Sequence, residues 1–145
     1  MFSTTTEYAL RALAILAQLP ENEAILGRDL AKQADIPANY LSKLLWTLGG
    51  AGVIEATRGS KGGYRMYRNP KEVFLAEIVE LFDKGRANPH CLLAGRELCS
   101  DENPCSAHHA WRDARAAYVA FLQTTTIADI ARPAESVDVE AGDPE

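Results

Sequence analysis

The sequence has no uninterrupted apolar run near the roughly 20 residues that a membrane-spanning helix requires, although 47% of its 145 residues are hydrophobic. A spanning helix is excluded, and the apolar residues are expected to form a core. The first residues, Met1-Phe2-Ser3-Thr4-Thr5-Thr6-Glu7, lack the basic flank and apolar stretch of a secretory leader. Cysteine is scarce: three thiols make a poor disulfide framework, because one bond would leave an odd one. A cytoplasmic location is the expectation. Motifs of catalysis are missing too. No Ser/His/Asp order and no paired-carboxylate motif stands out, and Gly62-Gly63 is not followed by the Lys-Ser/Thr of a phosphate loop. No enzyme is expected. Finally, there is no overall basic excess: 15 basic residues face 20 acidic ones, a net charge of −5, which for the whole chain argues against nucleic acid.

Charge divides unevenly along the chain. Residues 27–70 hold Arg28, Lys32, Lys43, Arg58, Lys61, Arg65 and Arg68 against Asp29, Asp35 and Glu55, a local excess of four positive charges. From Arg58 to Arg68 there are four basic residues and no acidic one. Screening makes near charges count far more than distant ones, so an acidic body with one basic segment can dock on phosphate. A solvated basic loop is the alternative.

Periodicity gives the elements. Thr4-x-x-Glu7 has capping-box spacing ahead of an apolar-rich helix ending at Pro20, with Tyr8, Ala12, Leu13, Leu16 and Leu19 on one face. A short helix is predicted over 28–34, broken by Asp35-Ile36-Pro37, with Pro37 in the first turn of the next helix. There Leu41, Leu44, Leu45 and Leu48 form a core stripe, and Asn39, Tyr40, Ser42, Lys43 and Thr47 lie opposite. Gly49-Gly50 and Gly52 stop it. Two short strands, 53–57 and 64–67, flank the turn-rich Arg58-Gly59-Ser60-Lys61-Gly62-Gly63. Pro70 opens an amphipathic helix carrying Leu75, Ile78, Val79 and Phe82, 85–104 is a loop, and a long helix over 107–123 carries Trp111, Ala114, Tyr118, Phe121 and Leu122 at helical spacing. Residues 126–130 add a turn. Residues 133–145, with five acids and no base, are expected to be a disordered tail.

Short helix, tight turn, amphipathic helix and basic hairpin make a winged helix-turn-helix, a mainly α fold with a β-hairpin wing. Such a helix buries its apolar stripe and presents polar and basic side chains to the major groove. The hairpin brings Arg58 to the backbone or into a minor groove, whose negative potential favours a guanidinium. Helix pairs of this kind also serve as protein-interaction modules; the basic wing favours DNA.

The residues that fill this pattern resemble one bacterial family. Tyr8-Ala9-Leu10-Arg11-Ala12-Leu13, Leu30-Ala31, Tyr40-Leu41-x-x-Leu44-Leu45-x-x-Leu48, Gly52-Val53-Ile54, Arg58-Gly-x-x-Gly62-Gly63-Tyr64 and Thr126-Ile127-x-Asp129 are similar to the winged-helix regulators that include IscR, NsrR and CymR. The resemblance covers about residues 1–130 and implies a homodimeric transcriptional regulator, a repressor, on a double-stranded DNA operator. It divides the chain into a DNA-binding domain, 1–84, a cysteine-containing sensor loop, 85–106, a dimerisation helix, 107–132, and the tail, 133–145. It implies DNA contacts at Asn39, Tyr40, Ser42, Lys43 and Arg58, with Arg28, Lys61 and Arg65 as weaker electrostatic candidates. Tyr40 has an alternative role, packing under the wing. Dimerisation falls to Trp111, Ala114, Tyr118, Phe121 and Leu122.

Cys91, Cys99 and Cys105 are spaced C-x7-C-x5-C, with His108 and His109 just beyond. Soft thiolates beside imidazole suit an iron–sulfur cluster or zinc. The resemblance implies a cluster, 2Fe–2S in preference to 4Fe–4S, with His108 as fourth ligand or Glu7 from the partner subunit in its place; Glu7 also has the role of capping its helix. The first gap is longer than in cluster-binding members, and a flexible loop absorbs an extra residue or two at little cost. Thiol-based regulation without a cluster, structural zinc, and a small electron carrier are the other readings of the cysteines.

Overall fold

Ser3, not Thr4, starts the first helix, α1 (Thr4–Ala17). The Ser3 hydroxyl accepts the Thr6 N–H at 3.2 Å, the preferred way to satisfy one of the unpaired donors of a helix start. The expected capping box is replaced: the Ser3 N–H donates not to Glu7 but to the Asp83 carboxylate, 2.8 Å away and 80 residues on. Thr6 donates to the same oxygen at 2.8 Å. Glu7 is exposed on α1 with no capping role. The computed structural model describes residues 2–91 and 100–131; Cys99 and the acidic tail lie outside them.

Ala9, Ala12, Leu13 and Leu16 of α1 are buried at the centre of the core. Against them pack α2 (Gly27–Ala34) and α3 (Ala38–Gly50). Asp35 ends α2 in the left-handed conformation, φ 53°, tolerated there because the short aspartyl side chain suits it. Pro37 stands one residue ahead of its expected place, at the cap of α3. Leu41, Leu44, Leu45 and Leu48 are all buried, as their spacing predicts.

Strands β1 (Ile54–Thr57) and β2 (Gly63–Met66) form the antiparallel hairpin, with Glu55 opposite Arg65 and Thr57 opposite Gly63. A third segment joins them. Ile25 exchanges both backbone hydrogen bonds with Tyr64, at 3.0 and 2.8 Å. Gly63 makes that approach possible: its φ is +144°, and a Cβ there would lie 2.3 Å from the Ile25 carbonyl oxygen.

The helix expected from Pro70 divides. Pro70–Glu72 is one 3₁₀ turn, Val73 and Phe74 are extended, and α4 runs Leu75–Phe82. The break has a cause: Val73 and Leu75, flanking Phe74, bond a returning segment, Ile127 N–H to the Val73 carbonyl and Leu75 N–H to the Thr125 carbonyl, both at 2.9 Å. That segment links α5 (His108–Thr124) to α6 (Ile127–Ala131), whose start Thr126 and Asp129 cap reciprocally. Leu122 and Ile127 enter the same core as α1. Among the described residues no helix is long and apolar enough to cross a membrane.

Candidate nucleic-acid interface

With its leucine stripe buried, α3 turns Asn39, Ser42 and Lys43 to solvent. Ser42 and Thr47 bond carbonyls one turn back, at 3.0 Å to Ala38 and 3.1 Å to Lys43. Tyr40 is part of this face but anchored elsewhere. Its hydroxyl meets the Thr5 hydroxyl at 2.6 Å, and its ring stands edge-on to Tyr8, centroids 5.4 Å apart. Tyr40 thus packs on α1 rather than under the wing, with 38% of its surface still exposed. Arg11 continues the brace: it lies over the Tyr8 ring at 5.3 Å and donates to the Ala34 carbonyl at 2.8 Å, at the turn between α2 and α3.

The wing tip spans residues 58–62, and Arg58 and Lys61 are exposed there. Neither joins an ion pair among the described residues, nor do Arg28 and Lys43. Arg65 differs: its Nε donates to Glu55 at 2.5 Å across the hairpin. Arg68 likewise pairs with Glu77 at 3.0 Å. Among the described residues the basic region therefore keeps unpaired cations at the tip of the wing, on α3 (Lys43) and on α2 (Arg28), while Arg65 of β2 and Arg68 just beyond it are paired within the fold.

One residue on this face escaped the sequence reading. Trp46 is 84% exposed, on the same side of α3 as Asn39, Ser42 and Lys43. The signal was available, because position 46 falls outside the leucine stripe at helical spacing from Asn39 and Lys43.

Cys91 and Cys105 are half-buried, and Cys105 lies one turn before α5, its carbonyl accepting the His108 N–H at 3.1 Å. The His108 ring is engaged through Nε2 with the Asp101 carboxylate at 2.8 Å, and it stands edge-on to His109. Among the described residues, no three metal-ligating side chains converge. Arg115 of α5 ties down the chain ahead of Cys91, donating to the Pro89 carbonyl at 2.8 Å and to the Asn88 side chain.

Of the 17 residues of α5, Leu122 alone is fully buried. It is enclosed by the chain's own core at 0% exposure, so it leaves the expected dimerisation set. Ala114 and Phe121 are exposed, and Trp111 and Tyr118 line an apolar cleft of about 420 Å³ with Arg86, Pro89 and Arg115. Burial first, then the nearby Asp83 carboxylate, push the Tyr118 phenol above its ordinary pKa.

Comparison with known proteins agrees with this architecture. Residues 2–133 match the Rrf2 family, described as iron-dependent transcriptional regulators. The regulator NsrR of Geobacillus kaustophilus is 33% identical over 125 residues, covering 86% of this chain and 85% of that protein. The regulator IscR of Xenorhabdus nematophila is 26% identical over 132 residues, covering 91% and 79%. Among solved structures, CymR, the global cysteine regulator of B. subtilis, superposes with a TM-score of 0.76 at 24% identity, over 90% of this chain and 95% of that one. A fold of winged-helix type, an exposed polar α3 and a family match over nearly the whole chain agree: this protein is a member of the Rrf2 family of transcriptional regulators.

Proposed function

We propose that this regulator acts as a homodimeric repressor on a roughly palindromic operator and reads iron–sulfur, nitric-oxide or redox state through Cys91, Cys99 and Cys105. The observation that carries the DNA part is the exposed polar face of α3 beside a wing whose Arg58 and Lys61 have no ion pair among the described residues. Asn39, Ser42 and Lys43 contact base edges or phosphates, Tyr40 a phosphate, and Arg58 the backbone or minor groove. Arg28 and Lys61 add phosphate attraction; Arg65, held by Glu55, adds least. The dimer forms along α5 through Trp111, Ala114, Tyr118 and Phe121.

Three thiolates with an imidazole or carboxylate are the donor chemistry an iron–sulfur cluster takes. Cys91, Cys99 and Cys105 would hold it, with His108, or Glu7 of the partner subunit, as fourth ligand; Glu7 has no capping duty to compete with that role. When bound, a cluster supplies a one-electron couple. The protein's part is to connect ligation to α4 and α5, between which the cysteines lie, so that gain or loss of ligation orders or releases residues 85–106. The second reading is regulation by the cysteine thiols themselves.

The deciding experiment is a visible spectrum of protein purified without oxygen, with iron and sulfide assayed on the same sample. Matched iron and sulfide, lost in Cys91→Ala, Cys99→Ala or Cys105→Ala, supports the cluster. Colourless protein after attempted reconstitution rejects it in favour of thiol chemistry. DNA affinity falling steeply with salt supports the operator reading, and salt-insensitive binding with no footprint overturns it.

A further inference from the structure

Trp46 is the largest apolar group on the face that α3 presents to solvent, and 84% of its surface is open. Nothing in the fold accounts for it: the core stripe of α3 is complete without it. Single exposed apolar residues are ordinary on a protein surface; what sets Trp46 apart is its place, in the middle of the polar face that α3 turns to solvent.

The surroundings of Trp46 select the kind of partner. Asn39, Ser42 and Lys43 share its side of the helix, and α3 contains no acidic residue. Beyond it, the helical Gly49 and Gly50 carry no side chain beside the indole, and the space at both positions is open. Next to it, a cleft of about 420 Å³ separates α3 from the wing, reaching Ala56 and Tyr64. A protein-docking site would be expected to gather further apolar groups around the tryptophan. The adjoining cleft is lined by Leu45, Ile54, Ala56 and Tyr64 as well, of which Leu45 and Ile54 belong to the buried core. On the solvent face of α3 itself the indole stands among the hydrogen-bonding and cationic groups of Asn39, Ser42 and Lys43, the complement of a DNA major groove, whose donors and acceptors are interrupted by one apolar feature, the thymine C5-methyl. Asn39 and Trp46 are seven residues apart on α3, about 10 Å at 1.5 Å per residue, which is about three base-pair steps along a strand.

We propose that Trp46 is a specificity-determining residue that packs its indole on a thymine methyl in each half of the operator. This rests on the operator reading above, and the experiment separates the two. The 145-residue protein selects duplexes from a random-sequence pool, and each thymine of the enriched duplex is then replaced by uracil, which removes the methyl alone. One thymine per half-site is expected to lose roughly fourfold in wild-type affinity on replacement, the worth of one buried methyl. Trp46→Ala is expected to bind the thymine and uracil duplexes equally, and Trp46→Phe to keep part of the preference. Circular dichroism establishes that both variants fold.

Several outcomes overturn the assignment. If the uracil series affects wild type and Trp46→Ala alike, the indole reads no methyl. If Trp46→Ala weakens enriched and scrambled duplexes equally, it touches the backbone only. If DNA affinity is unchanged while self-association falls, the residue belongs to a protein contact. If wild type enriches no duplex, the operator reading itself fails.

Discussion

The hydroxyls of Thr5 and Tyr40 lie 2.6 Å apart, joining the first turn of α1 to the first turn of α3 across 35 residues of sequence. With the edge of Tyr40 on Tyr8, this contact makes the orientation of α3 depend on α1. Tyr40→Phe is expected to lower stability by about 0.5–1.5 kcal/mol, the net worth of one hydrogen bond. Tyr40→Ala should lose the ring contact as well, a further roughly 0.5–1.5 kcal/mol. Urea denaturation of the two variants checks both values, and equal stabilities would show that the ring does not brace α3.

Arg58 and Arg65 should separate in function although both belong to the wing. Arg58→Ala is expected to cost about 1–3 kcal/mol of operator affinity and to leave folding untouched. Arg65→Ala should cost up to about 1 kcal/mol of stability, since its pair with Glu55 is half exposed and screened by water, and change DNA affinity less. Titrations at fixed salt with matched denaturation curves test the pair; equal affinity losses would refute the distinction.

Gly63 is the wing residue least able to change. Its backbone conformation alone costs about 1–3 kcal/mol for a residue with a side chain, and an added Cβ would also meet the Ile25 carbonyl. Gly59→Ala is the control, because φ is also positive there but the space is open. Gly63→Ala is expected to melt well below Gly59→Ala, and similar melting temperatures would place the strain elsewhere.

The acid limb of stability should carry the mark of Asp83. Burial works to raise its pKa, but the Ser3 backbone N–H, the Ser3 and Thr6 hydroxyls and the Arg86 charge outweigh it and bring the pKa below the ordinary value. A carboxylate with a lowered folded pKa stabilises the fold fully above its unfolded value, about 3.9, and the contribution is lost as pH falls through the folded value. Asp83→Asn is expected to be less stable at neutral pH and to lose less on acidification below about pH 4. Parallel curves for the two proteins would assign the acid limb to other groups.

What the sequence disclosed and what it hid follow from distance along the chain. The α3 stripe was legible because Leu41, Leu44, Leu45 and Leu48 are bound to one face by helical geometry alone. The wing was legible because its turn chemistry is local. The first cap was misplaced by one residue, since Ser3 and Thr4 are both good caps and the deciding acceptor, Asp83, comes from the residue that ends α4. The break after Pro70 was hidden for the same reason: the segment that bonds Val73 lies beyond α5. Leu122 was assigned to a partner surface because periodicity gives a face but not what covers it. For Tyr40, expected as a DNA contact with packing under the wing as the alternative, nothing in the sequence hinted at α1, because only the fold brings Thr5 and Tyr8 to it. Trp46 drew no reading from the sequence, although its phase on the helix excludes it from the core.

A protruding two-stranded hairpin has unsatisfied backbone groups along its outer edges, and such edges recruit other chains into aggregates. Close to the tip of this wing the donor and acceptor of Tyr64 are already taken by Ile25. The outer rim of β2 is thus blunted at that point by the protein's own connection between α1 and α2, which lets an exposed β-ribbon project into solvent at the concentrations a cell maintains without offering a template for strand addition there.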